Sequence, residues 1–394
     1  MTRWHEVPLG DVLDIFDHIR VPLSAAQRAD RKGPYPYYGA QGIIDHLDDY
    51  LFDGRYLLIP EDGENLNSRK LPIAYFADGK FWVNNHAHIV RSKPGKADDV
   101  FLKHALNAKD ISGYVTGAAQ PKLSQANLKR MTIDLPPLEI QRRIGLILGA
   151  YDDLIKVNRR RVAVVEEMAR ALFDEAITRT IGCLPPPGGG AGEAKLPDGW
   201  ELAELSAIAE IVMGQSPSSD ELNKDGVGIP FHQGVSDFGD LFPKRRVFCA
   251  RPNMNKVAKA GDILFSVRAP VGRINLAAED ILLGRGVSSI TSSLGNQPFL
   301  VQYLRAVFHE PDLIGNGAIY KAVGRKDIER IPVALPPSDE RDRLSRTFEP
   351  LHHILWVLER SNANLAASRD LLLPRLISGQ LSVEAAEREL EDAA

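Results

Sequence analysis

The chain has 394 residues, of which 44% are hydrophobic and 25% charged, with a formal net charge of −4. That balance belongs to a globular protein of two or more domains, each able to bury a core, and it excludes a disordered or strongly basic chain. The amino terminus, MTRWHEVPLGDVLDIF, has no basic region followed by an apolar run, and no stretch of about 18 apolar residues occurs, so neither a leader nor a membrane helix is expected. Cys183 and Cys249 lie far apart without a CxxC partner, which argues against a disulfide framework or a zinc ribbon and for a reducing, cytoplasmic home. After Gly379, Glu384, Glu387, Glu389, Glu391 and Asp392 outnumber Arg388 and account for the whole net charge. The rest of the chain is neutral on balance, so a nucleic-acid role would need basic residues gathered on one face.

Residues 1–136 hold short apolar runs, Tyr56–Ile59, Ile73–Phe76 and Phe81–Val83, separated by turn signals such as Ala77-Asp-Gly-Lys80. This is the pattern of a β-rich α+β domain, with helical periodicity near its end over Asp98–Ala108 and Ser124–Arg130. Residues 137–181 then form one long helix, because Ile144, Leu148, Tyr151, Ile155, Asn158, Val162, Val165, Ala169, Leu172 and Ala176 recur in steps of four and three. The Pro/Gly-rich stretch within 182–196 reads as a linker. Residues 197–336 repeat the plan, with a strand at Gly261–Ser266 and helices at Pro298–Phe308 and Arg325–Arg330. A second long helix follows over 337–380, then an acidic tail over 381–394.

The repetition is explicit. Thr116–Pro137 reads TGAAQPKLSQANLKRMTIDLPP and Asn316–Pro337 reads NGAIYKAVGRKDIERIPVALPP, an offset of 200 residues. Trp4-His-Glu-Val-Pro-Leu9 is likewise echoed by Trp200-Glu-Leu-Ala-Glu-Leu205. The same offset carries the first seam onto Leu344, Phe348, Leu351, Leu355, Leu358, Asn362, Leu365, Arg369, Leu372 and Leu376. About 40 helical residues span roughly 60 Å, and so narrow an apolar stripe cannot stabilise a lone helix. The economical arrangement is an antiparallel coiled coil of the two helices in a pseudo-twofold molecule, with Asn158 and Asn362 either setting register or facing a wet gap. Pro374 should kink or end the second helix.

Catalytic signatures are missing. There is no GxxxxGK[ST] phosphate loop, no Asn/Asp-Pro-Pro-aromatic tetrapeptide and no Pro-Cys nucleophile pair. Pro60-Glu-Asp62 with Lys70 loosely imitates a metal-dependent nuclease core, but Asp and Gly here suit a turn between strands. His86 and His88 alternate and would share one strand face, yet a metal would need further ligands, so a satisfied polar strand edge is preferred. His352 and His353 diverge on a helix. Loop-like segments instead carry side chains suited to base edges or phosphates. These are Gln41, Asn65, Asn67, Arg69, Asn84, Asn85 and His86 in the first half, and Ser216, His232, Gln233, Lys244, Arg245, Arg246, Arg268 and Arg285 in the second. Lys122 and Lys321, beside the repeated Gly-Ala loops, suit phosphates, while Arg159-Arg160-Arg161 suits a solvated helix face. Any one of these is also explained as a solvated loop residue.

The arrangement resembles the specificity subunit of type I restriction-modification systems. In the first half the likeness rests on Tyr35-Pro-Tyr-Tyr-Gly-Ala-Gln-Gly-Ile43, Glu61-Asp-Gly63 and the run from Gly79 to His88. In the second it rests on Gly214-Gln-Ser-Pro-Ser218, the run from Gly261 to Gly272 and Gly284-Arg-Gly-Val287. Leu-Pro-Pro before each helix, with Glu139-Ile-Gln141 after the first, is the most specific element, whereas Ser338-Asp-Glu-Arg341 lacks the matching Gln. The resemblance implies two target recognition domains, each reading one half of a bipartite double-stranded DNA site, and helices that set the spacer and dock two modification subunits. It implies no catalysis, metal or cofactor on this chain, with S-adenosylmethionine, ATP and Mg on modification and restriction subunits. A stand-alone DNA-modifying or DNA-cleaving enzyme with degenerate motifs, or a coiled-coil DNA-binding scaffold, is the alternative.

Overall fold

The computed structural model describes residues 4–117, 120–188, 196–239, 241–310, 312–314 and 322–391. They form two units, residues 1–156 with 362–394, and residues 157–361, so the division falls inside both long helices.

In the first unit, one sheet runs in the order Leu13–Ile15, Ala87–Ser92, Tyr56–Pro60, Tyr75–Ala77. A second runs Gly42–Leu47, Lys32–Gly39, Lys80–Val83, Phe52–Asp53. The strand period of two decides what each side chain meets. Leu57, Ile59 and Val90 face a core shared with helix Asp99–Ala108, whereas Leu58, Ala87 and Ile89 face Phe52, Phe81 and Val83. A sheet covered on both faces reads as a continuous apolar run, which is why Tyr56–Pro60 shows no alternation in sequence. Asp98 and Ser124 cap the helices that follow them, accepting hydrogen bonds from the amides of Phe101 (2.9 Å) and Asn127 (3.2 Å).

The second unit repeats this plan. Its sheets run Ala209–Met213, Val287–Ser292, Ile263–Ser266, Ile274–Leu276, and Leu222–Asn223, Phe248–Cys249, Ile229–His232, Ile281–Leu283, Val257–Ala258. Ile263, Phe265 and Ile290 face one core, and Leu264 and Val287 the other. Each unit also closes its ends with a two-stranded ladder, His5–Pro8 on Thr132–Leu135 and Glu201–Glu204 on Pro332–Leu335.

The long helices, Leu138–Phe173 and Ser338–Ile377, run antiparallel. In the first unit Ile144 and Leu148 share a core with Leu372 and Leu376, so the start of one helix meets the end of the other. In the second, Val162 and Phe173 share a core with Leu344, Phe348 and Leu355. Ile155 is buried, and Tyr151, Leu351 and Leu358 are half-buried. Asp152 accepts a hydrogen bond from Arg369 at 2.7 Å and also pairs with Lys103. Burial and the charge of Lys103 hold the neighbouring His104 ring neutral, lowering its pKa to about 4.

One expectation needs correction and two are filled in. Leu172 is 40% exposed; the seam passes instead through Phe173, Ile177 and Ile181. Steps of four drift around a helix, and the π turn Asp174–Thr178 takes the drift back by fitting an extra residue into one turn. Helix Ser338–Ile377 runs through Pro374, which lacks the amide that would donate one turn back, and ends within the next turn. The acidic tail contains a packed helix, Val383–Glu391, which buries Val383 and Ala386 while Arg143 pairs with Glu384 and Glu387 (2.5 and 2.7 Å). Gln141, by contrast, does make a helix-start contact. It accepts from the amide of Asp98 at 3.0 Å and donates to the carbonyl of Pro136 at 2.8 Å. Arg341 keeps only the backbone bond to Pro337, at 3.0 Å.

The two seam asparagines differ. Asn158 donates to the Ser361 hydroxyl at 3.4 Å, whereas Asn362 is 8% exposed and its amide has no hydrogen-bond partner among the described residues. A buried unsatisfied amide costs about 1–3 kcal/mol. Asn362→Leu should therefore raise the thermal unfolding midpoint, and a lower midpoint by circular dichroism would show that the amide is satisfied in solution.

Candidate nucleic-acid interface

Both domains end a parallel strand pair at the same edge, Tyr38 beside Val83 and His232 beside Leu283. The following turns are then fixed by matching backbone bonds. In the first domain the amide of Asn84 donates to Tyr38 (3.0 Å), that of Glu61 to His86 (2.8 Å) and that of Leu123 to Glu61 (2.8 Å). In the second, Gly284 donates to His232 (2.8 Å), Val267 to Gly286 (3.0 Å) and Val323 to Val267 (3.0 Å). Isolated bridges, Asp62 with Lys122 and Arg268 with Ala322, complete the match. Three loops from distant parts of each domain thus meet in one rim.

On the first rim, Gln41, Asn85, His86 and Lys122 are exposed. His86 Nδ1 pairs with Asp62 at 2.7 Å and Lys122 Nζ with Glu61 at 3.2 Å. Asn65, Asn84 and Arg69 do different work. Asn65 is 4% exposed and its amide bonds both backbone groups of Leu71 (2.8 and 3.0 Å). Asn84 is buried and accepts from the amide of His86 at 2.8 Å. Arg69 has φ of 51° and donates to the carbonyl of Asn107 at 2.7 Å, while burial lowers its pKa. These three hold loops in place and are not available to a ligand, whereas Asn67 is exposed on the short helix Asn65–Ser68.

Behind this rim lies a polar core that sequence reasoning passed over. His88 does not share a surface with His86; it is buried, with Nε2 at 2.8 Å from the Leu123 carbonyl and Nδ1 at 2.6 Å from Asp17. A carbonyl only accepts, so Nε2 carries a proton. Asp17 also accepts from the Ile89 amide (3.0 Å) and Gln125 (3.0 Å), and Arg20 ties Glu61 (2.8 Å) to the Ala87 carbonyl (2.9 Å). Asp17, Glu61 and His88 lie close enough to share an ion. The donors fit poorly, because Arg20 and Lys122 already neutralise the carboxylates and both ring nitrogens of His88 are engaged. The cluster is a closed ion-pair network that anchors the rim.

Burial alone would push the Asp17 carboxyl up, but the hydrogen bond and charge of His88 bring it below the usual range. Glu61 is lowered in the same way, by Arg20, His88 and Lys122 against burial. A lowered carboxyl stabilises the fold fully above its unfolded pKa, and this is lost as pH falls through the folded value. Asp17→Asn should cost about 3–5 kcal/mol in urea unfolding at neutral pH, because it strands a buried partner, and should flatten the acid limb of the stability profile. A variant as stable as the parent would refute the anchoring role.

On the second rim, Gln233, Arg268 and Arg285 are exposed and Ser216 half-exposed. The Ser216 hydroxyl donates to Gln233 Oε1 at 2.8 Å, and Arg285 Nε donates to the same hydroxyl at 3.4 Å. His232 is 1% exposed, and burial lowers its pKa to about 4, so it is a neutral core ring and does not reach a ligand. Lys244, Arg245 and Arg246 are exposed, with Arg245 paired to Glu279 and Arg246 bound to the Ser236 carbonyl at 3.1 Å. Lys321 lies outside the described residues.

A family model for the type I restriction modification DNA specificity domain matches residues 1–167 and again 197–362. The chain belongs to this family. A protein of Methanocaldococcus jannaschii, provisionally named as the type I restriction enzyme MjaX specificity subunit, is 29% identical over 97% of this chain and 96% of its own length. The type I restriction enzyme MjaVIII specificity subunit of the same organism is 20% identical over 97% of this chain and 93% of its own. The solved type I restriction-modification S subunit from M. genitalium matches 95% of this specificity chain and 96% of its own at a TM-score of 0.60 and 17% identity, which speaks for the fold. No helix among the described residues is long and apolar enough to cross a membrane.

Proposed function

We propose that this chain is the non-catalytic specificity subunit of a type I restriction-modification enzyme in the cytoplasm, each domain reading one half of a bipartite DNA site. The observation that carries this reading is the pair of rims. One backbone scaffold occurs twice, yet Asn85, His86 and Lys122 on one rim are replaced by Arg285, Gly286 and Ala322 on the other. A repeated frame with unlike tips suits an asymmetric target.

The long helices set the unspecified spacer between half-sites and dock two modification subunits. Leu146, Leu154, Val157, Val164 and Met168 are exposed along the first helix, an apolar surface suited to partner helices. By likeness to specificity subunits, S-adenosylmethionine would bind the modification subunits, and ATP and Mg the restriction subunits; no phosphate loop or methyl-transfer motif occurs in this sequence.

Removing one heptad from each long helix should change the spacer length in the host's methylated motif and leave both half-sites intact. Single-molecule sequencing of host DNA reads this directly, and altered half-sites with an unchanged spacer would contradict the ruler role. The purified chain should neither methylate DNA with S-adenosylmethionine nor cleave it with Mg²⁺. Activity without any partner would overturn the specificity-subunit reading.

A further inference from the structure

We propose that Asn85 and Arg285 are the equivalent base-reading residues of the two domains, Arg285 selecting a guanine in one half-site and Asn85 an adenine in the other. This rests on the specificity-subunit reading and narrows it to one position per domain.

The equivalence comes from the backbone. Asn85 and Arg285 each sit between a residue whose amide is bonded to the end of the paired parallel strand, at Tyr38 or His232, and one whose carbonyl is bonded to the loop from the neighbouring sheet. Each side chain is therefore the tip of a turn held on two sides. In the second domain the flanking glycines are required. A Cβ on Gly284 would lie 2.7 Å from Gln233 Cα, and one on Gly286 would lie 2.5 Å from the Gln233 carbonyl oxygen. Gly214 closes the third side, since its Cβ would meet the Gly284 carbonyl oxygen at 2.2 Å. Close backbone packing leaves Arg285 as the one side chain of this Gly-Arg-Gly turn and sends it outward into solvent.

Its chemistry is also prepared. Ser216 holds Nε, and no carboxylate among the described residues pairs with the guanidinium, so both Nη groups are free to donate as a fork. That fork matches O6 and N7 of guanine, and it is worth a roughly tenfold or greater preference over other bases. Asn85 is exposed and its side-chain amide makes no hydrogen bond among the described residues. An amide offers one donor and one acceptor, the complement of N6 and N7 of adenine. Other rim positions fit less well. Arg268 has as its counterpart Asp62, an acid held by His86, and His86 has as its counterpart a glycine.

The test replaces the gene at its own locus in the host with Arg285→Ala, Arg285→Lys or Asn85→Ala and maps the methylated motif by single-molecule sequencing. Both Arg285 variants should relax one guanine position in one half-site by roughly tenfold or more, sparing the spacer and the other half-site. Lysine keeps the charge but loses the planar fork, so a phosphate contact would survive in Arg285→Lys with the motif unchanged, whereas a guanine contact made through the fork would weaken and relax that position. Asn85→Ala should relax one adenine position in the other half-site. An unchanged motif in Arg285→Ala, a parental motif in Arg285→Lys, or a uniform loss across all positions would overturn the assignment. If the parent chain directs no motif at all, the specificity-subunit reading itself fails and takes the assignment with it.

Discussion

The structure depends on the burial of the antiparallel helix seam inside the domain cores. Ile144 and Leu148 with Leu372 and Leu376 lie in the same cluster as Leu57, Val90 and Phe101, and Phe173 with Phe348 lies in the same cluster as Phe265 and Phe299. Neither domain has a complete core without a segment of each long helix. Trp4 and the helix Val383–Glu391 are bound into the first core, with Trp4 packed on Gly379 and Phe101. Large buried aromatic contacts such as Phe173 on Tyr303 make the helix pair part of the domains.

With the frame fixed in this way, the two domains solve the same problem of rim rigidity by different chemistry. The first pins its loops with charges, as His88, Asp17, Arg20 and Glu61 sit where the strands Ala87–Ser92 and Tyr56–Pro60 end. At the matching place the second domain has Val267 and Ser288, the latter buried with no hydrogen-bond partner for its hydroxyl among the described residues. It gains rigidity instead from glycines that let three backbone segments approach closely. A charge network tolerates bulky polar tips above it, whereas a glycine-packed rim leaves room for a single long side chain. The unlike tips, Asn85-His86 and Arg285-Gly286, thus stand on unlike supports.

Much of the architecture was legible because periodicity and repetition are properties of sequence alone. Steps of four and three gave the seam, and the Leu-Pro-Pro junctions marked where each helix starts, at Leu138 and Ser338. The reading slipped at Leu172 because a π turn is a local change of period with no residue signature. It passed over the last helix because Val383 and Ala386 are a sparse apolar face among glutamates. Polar loop residues were the least legible. Asn65 and Asn85 look alike in sequence, and only the backbone around them decides that one closes a turn on Leu71 while the other meets solvent. His88 and His232 were hidden for the same reason, since a buried ring is recognised by its surroundings.

The distribution of charge bears on how such a chain would meet DNA. Many of its cations are spent on internal partners: Arg28 on Asp45 (3.1 Å), Arg31 on Asp48 (2.9 Å), Arg55 on Asp78 (2.6 Å) and Arg143 on two glutamates. On the second rim, Arg268 and Arg285 have no such carboxylate partner among the described residues. Non-specific affinity for a duplex scales with the number of phosphates neutralised, so a chain with a net charge of −4 gains little from overall charge. Under the proposed function, discrimination at the rims would then be a large fraction of what the chain itself contributes, with strong phosphate binding left to the partner subunits. This division keeps a specificity chain from being trapped on random sequence, because weak non-specific binding leaves the difference between right and wrong bases as the deciding quantity.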